Sequence, residues 1–418
     1  MPVPARCRGR LSWPSVLLGC LPALGCVSYR AAPIDYATLA AATPAPPTDP
    51  IDFADAVAFA CMHAPELQRL QADAAAAGAD TPPLDLQGQW EGSDQQLAVM
   101  VDPIALLGLG ERGAQRARTA ARAAAAVATL AVARWQRLGR IAEVYAALRA
   151  LDEVAPPPPL PSLAPRLAAG LVSPRAAARA SAAAAMAAAE AATRHAERLG
   201  LLAELRPLLG IAADATIELT PVDAEFPPLP PTDAGQLHQR PDLVLRLADY
   251  EVADAEFRAA VRAQYPSLML GPEVLLRGGG VDPMAWFRIP LASGGAAAAA
   301  QHRRTAARAA AAQAWLEASN QLQTAIVQHA ARDQAAQAAA AAATASSTAL
   351  RDAIRQLDLD PEPAVGESIA ELAVMAVRDA GEHRTAAVAT ARARVQRALA
   401  AGWPAAPLAA GPAQAVQP

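Results

Sequence analysis

One glycine-rich stretch and a few titratable residues are all this chain offers for chemistry. Gly108-Leu109-Gly110-Glu111-Arg112-Gly113 matches the dinucleotide fingerprint letter for letter, with glycines that would let backbone approach a pyrophosphate at a helix N-terminus. That chemistry also needs an acid about 20 residues on to hold the ribose. Neither Asp nor Glu occurs from Arg112 to Ala142, and Pro103 separates the preceding strand pattern from the glycines, so the match fails as a cofactor site. There is no lysine, hence no phosphate-loop lysine and no Ser-x-x-Lys nucleophile. His63, His195, His238, His302, His329 and His383 never come within five positions of one another, so no zinc-helix motif exists. The expectation is a non-enzyme with no catalytic residue, metal or cofactor.

Cysteine chemistry points to the N-terminus. Arg6, Arg8 and Arg10 form a basic region, and Leu11 to Gly25 is an apolar run too short for a bilayer span of about 20 residues. It ends in Ala23-Leu24-Gly25-Cys26, close to a bacterial lipobox, which makes Cys26 the expected acylated N-terminus of the mature chain. Leu17-Leu18-Gly19-Cys20 competes, and a plain signal peptide without lipid is the remaining reading. Removing residues 1–25 takes three arginines from the 36 basic residues and none of the 40 acids, leaving a formal charge of −7. A mildly acidic surface argues against nucleic-acid binding. Cys61 is then the only other cysteine, a small hydrophobe among Val57, Phe59 and Met62, and no internal disulfide is available.

The elements that must position anything are long helices and short strands. From Arg240 a helical pattern runs into Tyr265-Pro266-Ser267, after which Leu268, Leu270, Val274 and Leu276 fall at strand spacing. After Gly278-Gly279-Gly280 a second apolar run, Met284 to Ile289, leads into an alanine-rich helix expected over Gln301 to Leu357. The same order occurs earlier. Leu84, Leu86 and Trp90 alternate with Asp85, Gln87, Gln89 and Glu91, the polar turn Gly92-Ser93-Asp94 and the run Leu97 to Val101 follow, and a helix is expected from Glu111 to Leu151. No later run is apolar enough for a membrane helix, so any spanning segment would be a strand. Four strands cannot close a barrel, and lipid tolerates no open sheet edge.

Taken together these pieces resemble the outer-membrane efflux (TolC) family. The residues that carry the resemblance are Ala56-Val57, Pro65-Glu66-Leu67, Ala169-Gly170-Leu171-Val172-Ser173 and Leu208-Leu209-Gly210 in one half. In the other they are Arg240-Pro241-Asp242-Leu243, Tyr265-Pro266-Ser267-Leu268 and Ile289-Pro290-Leu291. Residues 108–113 are similar to the helix entrance of metal-efflux members. The resemblance covers Asp52 to Trp403 and implies a mainly α fold with a small β part, built from two helix-strand-strand-helix repeats. Residues 1–25 would be the signal peptide, 26–51 a linker, 52–231 and 232–403 the repeats, and 404–418 a disordered tail.

The resemblance further implies long coiled-coil hairpins and a homotrimer sharing a 12-stranded barrel in a Gram-negative outer membrane, with the helices in the periplasm. The chain would conduct cargo passively for an inner-membrane pump joined by a periplasmic adaptor. Asp85, Gln87, Gln89, Glu91 and Glu273 are the expected pore-facing strand residues. Asp358 and Asp360 are the gate candidates, and Gly170, Leu171, Ser173 and Gly366 the adaptor-contact candidates. One departure from the family is plain: Pro156 to Pro159, Pro161 and Pro165 replace what is usually continuous helix. A lipid-anchored periplasmic scaffold, favoured by the sparse aromatics, and a degenerate, non-conducting member are the alternatives.

Overall fold

The computed structural model describes residues 44–45, 47, 49–79, 87–91, 94–98, 111–156, 159, 164–170, 172–220, 234–265, 267–275, 281–288, 294–359 and 363–403. The elements, in order, are α1 (Phe53–His63), α2 (Pro65–Ala79), β1 (Gln87–Glu91), β2 (Asp94–Ala98), α3 (Glu111–Glu153), α4 (Ala164–Ala168) and α5 (Pro174–Leu209). A 3-10 turn (Ala234–Gln239) then leads to α6 (Pro241–Arg262), β3 (Ser267–Leu275), β4 (Val281–Arg288), α7 (Gly294–Leu359) and α8 (Pro363–Ala400). Long helical hairpins dominate: α7 has 66 residues, about 100 Å at 1.5 Å per residue. Among the described residues no helix is long and apolar enough to cross a membrane.

Several boundaries differ from the sequence reading, each for a local reason. Asp94 belongs to β2, not the turn, because it pairs with Glu91 and leaves only two residues between the strands. Strand β2 therefore covers Asp94–Ala98 instead of starting at Leu97, and residues 99–101 lie outside the described region. Strand β4 starts at Val281, where Pro283 stands opposite Pro272. Helix α7 starts at Gly294 because the flanking alanines favour helix as far as the two glycines. Ser173 caps α5: its hydroxyl accepts from the Ala176 N–H at 3.1 Å, and Pro174 occupies the first turn.

Packing order defines the architecture next to the sheet. Helix α2 packs on α3, α3 on α6 and α6 on α7, while α2 makes no contact with α7 among the described residues. The four helices thus form an open arc with two unlike ends. Farther from the sheet, α7 packs on α8 and α8 on α5. Alanine fills these seams. Ala176, Ala180 and Ala183 of α5 meet Ala370, Ala373 and Ala376 of α8, so the backbones approach closely and little apolar area is buried per residue.

The middle of the molecule is held by larger groups. Ile51 and Leu219 form a parallel bridge, and the Tyr145 hydroxyl donates to the Thr220 carbonyl at 2.6 Å. Burial, with the charge of Asp52 adding, pushes that phenol up to about 12, so it stays a donor. Cys61 is half-buried beside Ala64, Leu67 and Leu130, and burial pushes its thiol up.

Arg240, only 2 % exposed, ties four helices together. Its guanidinium donates to Asp242 at 3.1 and 2.6 Å, to Gln321 Oε1 of α7 at 3.0 Å and to the Ala400 carbonyl of α8 at 3.1 Å. It also lies 5.5 Å from the Trp135 ring of α3. The Arg-Pro-Asp start of α6 is therefore a clasp: proline sets the first helical turn, and the planar fork serves several acceptors at once. Replacing Arg240 with Leu strands those acceptors and is expected to cost about 3 kcal/mol, read as a lower denaturant midpoint in Trp fluorescence of the purified protein; Arg240→Lys should recover only part of it.

Candidate channel wall and helical tips

The antiparallel sheet runs β1-β2-β3-β4, with β1 and β4 as its edges. Directly opposed residues share a face, and one strand's alternate residues do too. The register aligns Gln87 with Ala98, Ala98 with Glu273, and Glu273 with Asp282, a single row across all four strands. By this alignment Gln87, Gln89, Glu91 and Glu273 all lie on one face, together with Asp94, Gln96, Asp282 and Arg288. The opposite face holds Trp90, Leu97, Leu268, Leu270, Val274, Val281, Ala285 and Phe287 together with the polar Gln95, and none of its described residues is charged. Asp94, Gln96 and Asp282 escaped the sequence reading because alternation within one strand gives no cross-strand alignment. Trp286 falls on the face of Glu273 and Phe287 on the opposite one. Asp85 lies outside the described residues.

Two acids of α6 anchor the helices next to the sheet. Glu256 meets Arg122 at 2.8 Å and Arg118 at 3.6 Å on α3, and Arg303 at 3.5 Å on α7. The hydrogen bond from Arg122 is the main cause that holds its carboxyl below the ordinary 4.5; burial opposes this and the three arginine charges add to it. Asp254 pairs with Arg304 at 2.7 Å and with Arg258. Arg304 also sits 5.5 Å from the Phe257 ring. Residues about 120 of α3 and 303 of α7 are thereby set at one height.

Away from the sheet the two hairpins are unequal. Helix α3 stops at Glu153, ahead of the prolines, and Arg194 of α5 donates to the Leu151 and Val154 carbonyls that the break leaves open. Helix α5 continues for about 20 residues, roughly 30 Å, beyond that point and rests on α8. Arg179 meets Glu371 at 2.7 Å, and Arg384 meets Glu190 at 2.5 Å and also Glu197. The polar stripe of α5, Arg179, Glu190, Arg194 and Arg198, is therefore mostly a seam with α8 and the end of α3. A cavity of about 220 Å³ lies where the three helices meet, lined by Val154, Arg194 and Arg384 among others.

The outer-membrane channel OprN superposes with a TM-score of 0.65 at 19% identity, covering 90% of this chain and 98% of that one. The outer membrane protein VceC of Vibrio cholerae gives 0.60 at 18%, covering 83% and 96%. The open state of the Neisseria gonorrhoeae outer membrane channel MtrE gives 0.60 at 17%, covering 84% and 88%. The chain has the fold of the TolC-type outer-membrane channels. No family model matches the sequence, and no curated protein does either; at these identities the likeness is one of fold.

Within the TolC-type fold the two helical tips touch each other. The Ser173 hydroxyl donates to Glu367 at 3.0 Å. A Cβ added to Gly366 would stand 2.5 Å from Val172 Cγ1, so this glycine permits the close approach of α8 to the start of α5. Ser173 and Gly366 are thus brought together. Gly170 adopts φ 72°, open to solvent, and Leu171 lies outside the described residues. Asp358 lies in the last turn of α7; Asp360 and the lipid candidate Cys26 are outside the described residues. Among the described residues no group of three His, Cys, Asp or Glu could hold a metal ion.

Glu256→Gln should lower stability at neutral pH. A carboxylate whose folded pKa is depressed stabilises above its ordinary value and loses that contribution as pH falls through the folded one, so the gap between wild type and variant in a pH series of melting curves should close below about 4.5. Gly366→Ala forces the stiff, branched Val172 aside and should cost about 1–3 kcal/mol at the tips, seen as faster trypsin cleavage after the exposed Arg175.

Proposed function

We propose that this chain is an outer-membrane channel component of an export system, a passive duct with no catalytic step. The observation that carries the reading is a two-faced sheet within a TolC-type fold: one uncharged, mainly apolar face, one face that gathers all the charged residues, and two free edges. In lipid each unpaired backbone group costs several kcal/mol, so the β4 edge of one copy would pair with the β1 edge of the next. Two unlike edges make a head-to-tail contact, which closes into a ring. Three copies would give twelve strands, and the open helical arc would close alongside them.

The polar face would line the lumen, with Gln87, Gln89, Glu91 and Glu273 joined by Asp94 and Asp282. Asp85 belongs with them by its alternation with Gln87. Asp358 and Asp360 would narrow the far end. Gly170, Leu171, Ser173 and Gly366 would meet a periplasmic adaptor, which couples the duct to an inner-membrane pump. Acylated Cys26 would anchor the chain in the outer membrane. Neither a metal nor a cofactor is needed for conduction.

Acids outnumber Arg288 on the lumen face, so conduction should favour cations. In planar bilayers the purified protein is expected to form discrete channels whose reversal potential in a salt gradient reports cation preference. Glu273→Gln with Asp282→Asn should reduce that preference and leave channel formation intact. Absence of any channel from protein extracted from outer membranes would refute the duct.

A further inference from the structure

The seam between α7 and α8 has a long stretch with no large apolar anchor, and one titratable side chain is buried in it. Between Leu322 and Leu350, about 42 Å of helix, the buried residues of α7 are His329 and Ser346. Apolar clusters lie to either side. Leu322 and Ile326 pack with Ala400 and Ala401, and Leu350 packs with Ile369, Ala370 and Ala373. Close to His329 the seam is polar: the Thr390 hydroxyl of α8 donates to the Arg332 carbonyl at 2.9 Å, and Arg332 donates to the Ala389 carbonyl at 3.4 Å.

His329, 8 % exposed, faces arginines. Its Nδ1 stands 3.5 Å from Nη1 of Arg397 on α8. A guanidinium stays protonated and offers no acceptor, so Nδ1 is the acceptor, the ring proton is on Nε2 and the imidazole is neutral. Arg394 of α8 adds a second positive charge, and Asp333, one turn along α7, is the acid that opposes them. Asp333 already accepts from Gln337 at 3.0 Å. The 3-10 turn and α6 meet α7 at Leu322 and nearer the sheet, so the charges facing His329 come from α7 and α8. A proton on Nδ1 would set N–H against N–H and bring a third cation into a site with little water. Burial is the main cause that holds the imidazole below its ordinary 6.5, and the charge of Arg397 adds to it.

We propose that His329 is a proton-operated latch on the hairpin of α7 and α8: neutral, it lets α7 close on α8 beside Arg397, and protonated, it drives the two helices apart over the turns around it. Opening frees the ring to take a proton at its ordinary value, whereas the closed seam takes one only at lower pH. The latch therefore holds fully above about 6.5 and weakens as pH falls below that value. The next buried residue along α7 is Ser346, so no apolar anchor of α7 takes over nearby. Asp358 lies near the end of the same helix, which puts the latch on the hairpin that carries a gate candidate. The latch needs only the hairpin and stands apart from conduction.

The test is backbone amide exchange of the purified full chain at about pH 7.5 and about pH 5.5, either side of the ordinary imidazole value, corrected for the intrinsic pH dependence of exchange. In the wild type, protection of residues 323–336 should fall severalfold at the lower pH relative to residues 344–357 of the same helix. His329→Gln, neutral at both values, should keep its protection. Arg397→Gln removes the nearer opposing charge and should show a smaller fall than wild type. No fall in the wild type overturns the latch, and so does an equal fall in His329→Gln. Should His329→Gln not fold, Arg397→Gln decides, and a fall equal to that of the wild type overturns the latch.

Discussion

Strand register is the interaction on which the rest depends. A one-residue slip of β3 against β2 would move Glu273 to the face that holds Trp90 and Leu97, and would carry Asp282 with it. The observed pairing instead gathers the acids on one side and leaves Trp90, Leu97 and Phe287 on the other. That division makes a small sheet fit to separate water from an apolar medium. The same pairing leaves β1 and β4 free, and the arc of α2, α3, α6 and α7 repeats the arrangement in helices. Among the described residues, sheet and arc each end in two unlike elements that have no further neighbour within the chain.

Helices of alanine need polar fastenings. A buried alanine contributes little transfer energy compared with leucine, and the seams of α5 with α8 are mostly alanine. Ion pairs and capping arginines recur at intervals along them: Arg179 with Glu371, Arg384 with Glu190, and Arg194 on the end of α3. Exposed pairs such as Arg179–Glu371 add little each. Arg240 and Arg384 are buried and satisfied by several acceptors, so they govern which helices lie together.

The proline run changes how the first hairpin is built. Helix α3 ends at Glu153 and α5 begins at Pro174, and α5 takes α8 as its partner where α3 has ended. The cavity beside Val154 marks the change of partner. From there to the tip, α5 is held by the second hairpin through Ser173, Arg179 and the close approach at Gly366.

Much of this was readable in one dimension. The change of period at Ser267 marked a strand, Ser173-Pro174 marked a helix start, and the prolines after Ala155 marked a helix end, because caps, φ restrictions and side-chain alternation act within a few residues. The alternation of Gln87, Gln89 and Glu91 placed them together for the same reason. What only the tertiary structure decided was partnership: that Glu273 stands in one row with Gln87 and Asp282, that α5 rests on α8, and that His329 meets Arg397. Periodicity fixes which side of an element is apolar, but hydrogen bonds between strands and steric fit between helices choose what that side meets, and those forces act between residues far apart in the chain.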